Sequence, residues 1–347
     1  MKRSISSTQT KGTQDLLKTL YSKEQPQKIL ERELGRPYIE YRERWNKAMS
    51  FEYRPDFPIH LDLELIYACN LRCIMCPFGV KTYKHPSYKG KELDRDIIIK
   101  IFSEGKNHQL SSVRFNALSE PLLSRDLPDM IRLAIDNGVI DTFITTNALL
   151  LNRAKSRELI KAGLNHILIS IDGSTKETYE SIRSGSNYEK VVRNLYSFLE
   201  ERDKLGSRRP LLRLTFVRMK VNEHEIERFI EKWLNVVDYI GIAGYLNNVE
   251  DDLISDGLHT SAGTMKDIEK FYCYQPWVRG VVYANGDFFP CCANYGRGTP
   301  IFNVHNLSIY YIWNSPEVRF IQDIHKSGEY YRHPTCKLCI SKRDNFD

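Results

Sequence analysis

No apolar run of eighteen or more residues occurs anywhere in the 347 residues, so no segment reads as a helix long enough to cross a bilayer, and no membrane partner is expected. The start, MKRSISSTQTKGTQ, carries basic residues with no apolar stretch behind them, so a secretory signal is not expected and the protein is placed in the cytoplasm. Internal repeats and low-complexity tracts are absent too. Concentrated charge is scarce. The formal net charge of +6 is spread along the chain, and the densest basic stretch, Lys81 to Lys91, is broken by Tyr83, His85, Pro86 and Tyr88, which reads as a solvated loop rather than a phosphate-reading surface. Cysteine is missing from the whole interval between Cys76 and Cys273, and all eight fall into two tight groups. That excludes the spread-out disulfide framework of a small secreted chain and points to metal or cluster ligation.

What is present is ordinary for a large folded chain. A hydrophobic content of 41% against 27% charged residues excludes disordered and collagen-like classes, and the length suffices for one large domain plus a small one. Residues 1–55 read as a polar N-terminal tail, frayed up to about residue 25, followed by a helical extension through Trp45 and Met49. From His60 the pattern becomes short apolar runs separated by amphipathic helices, which predicts a parallel sheet with helices outside it. The runs are His60 to Tyr67, Val113 to Leu118, Thr142 to Thr146, His166 to Ile171, Leu211 to Val217 and Tyr239 to Ala243. Helices are expected over Leu127 to Asn137, stopped by Asn137-Gly138, and over Tyr188 to Lys204. Six β/α units over 56–250 predict an α/β fold, a partial TIM-like (β/α)6 barrel whose functional residues sit at the C-terminal strand ends. A polar acidic connector, VEDDLISDG, precedes a smaller α+β unit over 265–347 in which Asn285-Gly286 marks a hairpin.

The strand-like stretch LDLELIY runs directly into Cys69-x3-Cys73-x2-Cys76. Three thiolates so spaced can wrap one cubane cluster and ligate three of its four irons, leaving the fourth open. A structural zinc site would need a fourth ligand, and no local His or Cys supplies it. Buried inert thiols are hard to reconcile with a polar loop holding Asn70 and Arg72.

At these residues the sequence resembles the radical S-adenosylmethionine (SAM) superfamily, which implies a 4Fe–4S cluster on Cys69, Cys73 and Cys76 that binds SAM and cleaves it to a 5′-deoxyadenosyl radical. The resemblance places Met75 against the adenine. It places Ala117 and Ser119, where the family has glycines, beside Glu120-Pro121 near the SAM amino group. Asn147, in Thr145-Thr146-Asn147, matches the family's third-strand motif, with Ala148 replacing a glycine. Ser170 and Asp172 stand where the ribose is met, and Arg183 where the SAM carboxylate is paired. On the fifth strand, Arg213 and Thr215 share one face and Arg218 takes the other.

In the second group, Cys273 and Cys291 straddle the hairpin and Cys336-x2-Cys339 forms a knuckle. Judged by spacing, four thiolates suit a cubane or a zinc ion equally. The element Cys-x12-Gly-x4-Cys, the stretches Phe302-Asn303-Val304 and Ile312-Trp313-Asn314, and the terminal pair are similar to the C-terminal SPASM domain in its shortened twitch form. That resemblance implies a second, auxiliary 4Fe–4S cluster on Cys273, Cys291, Cys336 and Cys339. Seven ligands leave Cys292 over, either a small buried hydrophobe or a thiol that gives a hydrogen atom to a substrate radical.

The resemblance implies hydrogen abstraction from an unactivated carbon, with a flavodoxin- or ferredoxin-like reducing partner. Only about 55 mostly polar residues precede the first barrel strand, short for a separate peptide-recognition domain, so a carbohydrate-like small molecule, oxidised or epimerised, is expected over a peptide. A peptide- or protein-modifying maturase is the alternative. A zinc-stabilised nucleic-acid-binding protein, consistent with a pI near 8.7, is a remote one, since no reading element for nucleic acid is evident.

Overall fold

A computed structural model of the chain describes residues 6–8, 18–79, 89–246, 258–260, 269–291 and 300–341. Six parallel strands form its centre: β3 (His60–Leu63), β4 (Ser112–Arg114), β5 (Asp141–Thr146), β6 (His166–Ser170), β7 (Leu211–Arg218) and β8 (Tyr239–Gly244). They lie side by side in chain order, each joined to the next by a helical crossover, as parallel pairing demands. The crossovers contain α3 (Arg95–Asn107), α4 (Leu127–Asp136), α5 (Arg153–Lys161), α6 (Lys176–Ile182) with α7 (Tyr188–Lys204), and α8 (Ile226–Trp233). This is the open (β/α)6 TIM-like barrel expected from the sequence.

Alternation along the strands sorts their side chains into two layers. Leu61, Leu63, Val113, Ile144, Ile167, Ile169, Leu212, Leu214, Ile240 and Ile242 join the helices in one apolar core, each such side chain contributing about 1.5–3 kcal/mol when fully buried. The residues between them are polar and meet one another across the interior. His60 bridges Ser112 Oγ at 2.9 Å and Asp62 at 2.8 Å, Arg114 pairs with Asp62 at 2.7 Å, and Tyr239 Oη meets His166 at 2.8 Å. Helix ends follow local signals. Asn187 caps α7 by accepting from Lys190 N–H at 2.7 Å, and the chain leaves α4 through Asn137 into Gly138 at φ +90°.

Both sheet edges are extended. The expected frayed tail is a strand in part: β2 (Lys18–Ser22) pairs antiparallel with β8, and β1 (Ser6–Thr8) pairs with β2. A five-residue strand with little apolar periodicity gives no signal of its own; the open edge of β8 supplies its partner. Then α1 (Pro26–Leu34) and α2 (Arg36–Met49) pack Ile29, Leu30, Tyr38 and Tyr41 against Ile59, Leu211 and Tyr239, at the start of the barrel strands. On the other edge β9 (Arg279–Val282) pairs in parallel with β3, followed by the antiparallel β10 (Asp287–Phe289) and β11 (Phe302–Asn303). The predicted Asn285-Gly286 turn joins β9 and β10, with Gly286 at φ +85°. Helices α9 (Gln275–Val278), α10 (Ile309–Trp313), α11 (Pro316–Lys326) and α12 (Pro334–Ser341) complete the C-terminal unit, tied to the barrel by Trp313 Nε1 donating to Pro55 O at 3.0 Å.

Two barrel strands stop well short of their apolar runs. β3 stops at Leu63 and β4 at Arg114, because the residues beyond bond to loops: Leu93 N–H donates to Leu65 O, Tyr67 N–H to Lys91 O, and Leu118 N–H to the Glu64 carboxylate. The ends of those two runs build the mouth of the barrel. Among the described residues no helix is long and apolar enough to cross a membrane.

Candidate active site

The cysteine loop is held by backbone bonds on both sides. Glu120 N–H reaches Ala68 O at 2.9 Å, while Arg72 N–H and Ile74 N–H reach Ser184 O and Ile182 O at 2.9 and 3.0 Å. Inside the loop, Cys76 N–H closes on Cys73 O and Gly79 N–H on Cys76 O, and Leu71 N–H points at Cys69 Sγ at 3.4 Å. A side chain at Gly79 would run into the Cys73 carbonyl, so the turn needs that glycine. Burial pushes the Cys69 thiol up to about 11 and Cys76 to about 12, and raises Cys73 as well. Three desolvated thiols on one loop suit a bound iron cluster, whose positive charge deprotonates them.

Glu120 is buried and organises the neighbouring strand ends. Its carboxylate accepts from Thr146 Oγ1 at 2.6 Å, Asn147 N–H at 2.8 Å and Leu122 N–H at 3.1 Å, and Asn147 Nδ2 donates to Asn70 of the cysteine loop at 2.8 Å. Burial raises its pKa against these donors. Asp172 and Arg183, expected at different parts of SAM, meet each other: Oδ2 and Nη2 are 2.6 Å apart, Asp172 Oδ1 accepts from Val217 N–H at 2.7 Å, and Arg183 Nη1 stands 3.9 Å from Cys73 Sγ. Burial opposes the Arg183 charge, but Asp172 and Cys73 hold its pKa above the ordinary value. Ser170 is buried at the end of β6, and Met75 packs with Ile74, Ile182, Met219 and Val217. Ala117 packs its methyl against Val281, Tyr283 and Phe289 of the C-terminal hairpin, a contact no glycine would make. Ser119 is buried beside Glu64. Arg213 faces inward over the Tyr239 ring at 5.9 Å, in space left open by Gly241.

Sequence reasoning passed over Glu64. This carboxyl is fully buried where β3 leaves the sheet; Leu118 N–H donates to Oε1 at 3.2 Å, Oε2 accepts no hydrogen bond, and the Ala284 backbone of the hairpin lies against it. Burial pushes it up to about 7. The usable signal was the alternation Asp62, Glu64 in an otherwise apolar strand.

Of the second group, Cys336 and Cys339 sit three residues apart on α12, facing the same way by helical geometry, and Cys291 follows β10. Cys273 and Cys336 both pack on Phe271, Tyr330 and Ile340. Four thiols are the donor chemistry of a saturated cubane. Among the described residues no three His, Cys, Asp or Glu converge closely enough to hold a single metal ion. Cys292 lies outside the described residues.

Residues 63–233 match the family model of the Radical SAM superfamily, and residues 273–340 that of an iron-sulfur cluster-binding domain, SPASM. A GTP 3′,8-cyclase of Petrotoga mobilis is 28% identical over 212 residues, 60% of this chain and 62% of that protein. A probable GTP 3′,8-cyclase of Methanococcus maripaludis is 30% identical over 138 residues, 40% of this chain and 44% of that protein. The chain thus spans about half the length of the curated relatives it matches. Among solved structures, Streptococcus suis SuiB bound to precursor peptide SuiA superposes with a TM-score of 0.60 at 15% identity, covering 87% of this chain and 79% of that one. BtrN in complex with AdoMet and 2-DOIA gives 0.54 at 15% identity, over 84% of this chain and 98% of that one. At such identities the likeness concerns the fold. From the cysteine loop, the barrel that holds it and the two matching families, the chain belongs to the radical SAM superfamily and carries a C-terminal SPASM domain.

Proposed function

We propose that this enzyme generates a 5′-deoxyadenosyl radical from SAM and uses it to abstract hydrogen from a carbon of a polyhydroxylated, carbohydrate-like small molecule, which is oxidised or epimerised. Cys69, Cys73 and Cys76 would hold a 4Fe–4S cluster, which would supply an electron for cleavage of the carbon–sulfur bond of SAM. The chain's own residues do the rest. The Glu120–Asn147–Asn70 network fixes the loop relative to β4 and β5, Met75 and its apolar neighbours offer a face for the adenine, and Ser170 with the Asp172–Arg183 pair presents polar groups to the ribose and carboxylate. Cys273, Cys291, Cys336 and Cys339 would hold the auxiliary cluster, and Cys292 is the candidate thiol for returning a hydrogen atom. The division at 1–55, 56–250 and 265–347 is kept as the functional one, in a cytoplasmic enzyme reduced by a flavodoxin- or ferredoxin-like donor.

The observation that carries the substrate class is a pair of unpartnered polar atoms inside the barrel. At the mouth, Glu64 Oε2 and Thr215 Oγ1 are buried polar atoms with no hydrogen-bond partner, suited to substrate hydroxyls. A second reading, a purine nucleotide, is favoured by the identity to GTP 3′,8-cyclases across the barrel.

The test is anaerobic reconstitution, metal and sulfide analysis, and SAM cleavage under dithionite, then assay with deuterated substrates. About eight irons, as two cubanes require, with 5′-deoxyadenosine release supports the enzyme reading. Deuterium passing into 5′-deoxyadenosine from a labelled polyol or aminocyclitol supports the first substrate class; transfer from labelled GTP alone overturns it.

A further inference from the structure

A histidine in the last turn of a helix ordinarily stays at the surface, where the helix dipole and water favour it. His325, in the last turn of α11, is instead only 2% exposed. Its ring Nε2 lies 3.3 Å from Cys336 Sγ on α12, within reach of an N–H···S hydrogen bond. Neither partner is free to drift. Gln322, one turn before His325, donates to Pro276 O at 3.1 Å and its carbonyl accepts from Trp277 Nε1 at 2.8 Å, while Glu329 N–H closes on Ile324 O at 2.7 Å. Around the sulfur, Phe271, Tyr330 and Ile340 form an apolar wall shared with Cys273, which thins the water that would otherwise weaken the interaction.

We propose that His325 donates an N–H···S hydrogen bond to Cys336 as a ligand of the auxiliary cluster, and thereby holds that cluster's reduction potential up. The inference rests on the reading of Cys273, Cys291, Cys336 and Cys339 as cluster ligands. A donor aimed at a ligating thiolate withdraws electron density from it and stabilises the more negative, reduced cluster; such contacts are among the levers that set these potentials. His325 is a positioning and tuning residue here, since it acts through Cys336. A filler role alone would ask for an apolar residue of the same size and would leave the potential untouched.

The experiment uses the full-length chain with Cys69, Cys73 and Cys76 changed to Ala, so that only the C-terminal site can carry a cluster. After anaerobic reconstitution, iron, sulfide and zinc are counted and the midpoint potential is read by EPR-monitored titration in this parent and with His325→Phe or His325→Gln added. The expected result is about four irons in the parent, a lower midpoint with His325→Phe, and a smaller fall with His325→Gln, whose amide can still donate. An unchanged midpoint in His325→Phe at full iron occupancy overturns the tuning role and leaves the cluster reading standing. Zinc without sulfide in the parent overturns the cluster reading and the tuning with it. Should His325→Phe fail to hold its cluster, pulsed EPR of the reduced parent decides: weak imidazole nitrogen coupling supports the hydrogen bond, whereas no coupling, or the strong coupling of a nitrogen bound to iron, overturns it.

Discussion

Glu64 is the residue whose cost is most visible. A carboxyl that ionises near 4.5 when solvated is pushed up to about 7 in the fold, so between those values the folded state keeps a proton the unfolded chain has released. Its contribution is therefore fully favourable below about pH 4.5 and is lost as pH rises through about 7, a swing on the order of 3 kcal/mol. Glu64→Gln should remove that slope, gaining on the unsubstituted protein between pH 5 and 8; denaturant unfolding of both proteins across about that pH range checks it, and parallel curves would refute it. The Asp172–Arg183 pair has the opposite character. Replacing Asp172 by Asn leaves the buried Arg183 charge without its counterion, which should destabilise the protein by about 3–5 kcal/mol, read from the shift of the denaturation midpoint. Cys69→Ala, Cys73→Ala or Cys76→Ala should abolish 5′-deoxyadenosine formation, while Cys292→Ala should leave it intact. Loss of SAM cleavage in the last variant would sink the hydrogen-donor role for that thiol.

Elements differ in how legible they were. The strands β5 to β8 and the helices α4 and α7 follow from apolar spacing because each buries a continuous face. The hairpin between β9 and β10 follows from a two-residue turn signal. β2 could not be read, since its place is fixed by the partner edge of β8 rather than by its own residues. The candidate site shows the same division. Its cysteines announce themselves by spacing, whereas the pairing of Asp172 with Arg183 and of His325 with Cys336 joins residues from separate elements and exists only in the fold. Ala148 is a case in between: it stands where a glycine was expected and sits at φ +58°, in the region that L side chains avoid at about 1–2 kcal/mol. Ala148→Gly should therefore leave the midpoint of unfolding unchanged or raise it, unlike the loss of about 1 kcal/mol normal for that substitution in a helix. A clear drop would mean that the buried methyl outweighs the backbone strain.

At the scale of the molecule, one sheet runs from the N-terminal strands through the barrel to the C-terminal hairpin, so the two ends of the chain cover the two open edges of a six-stranded barrel. Removing residues 1–25 should bare the edge of β8 and raise the tendency to self-associate, which light scattering of the truncated protein against the full chain would reveal. The strand that leads into the cysteine loop, β3, depends on β9 in the same way, and β9 comes more than two hundred residues later. On a ribosome adding about 5–20 residues per second, that edge waits some 10–40 s for its neighbour to emerge. β3, with Leu61 and Leu63 on one face and three thiols close behind, thus stands unpaired on one side until then, and a message cut short before Arg279 would yield a barrel with that edge bare.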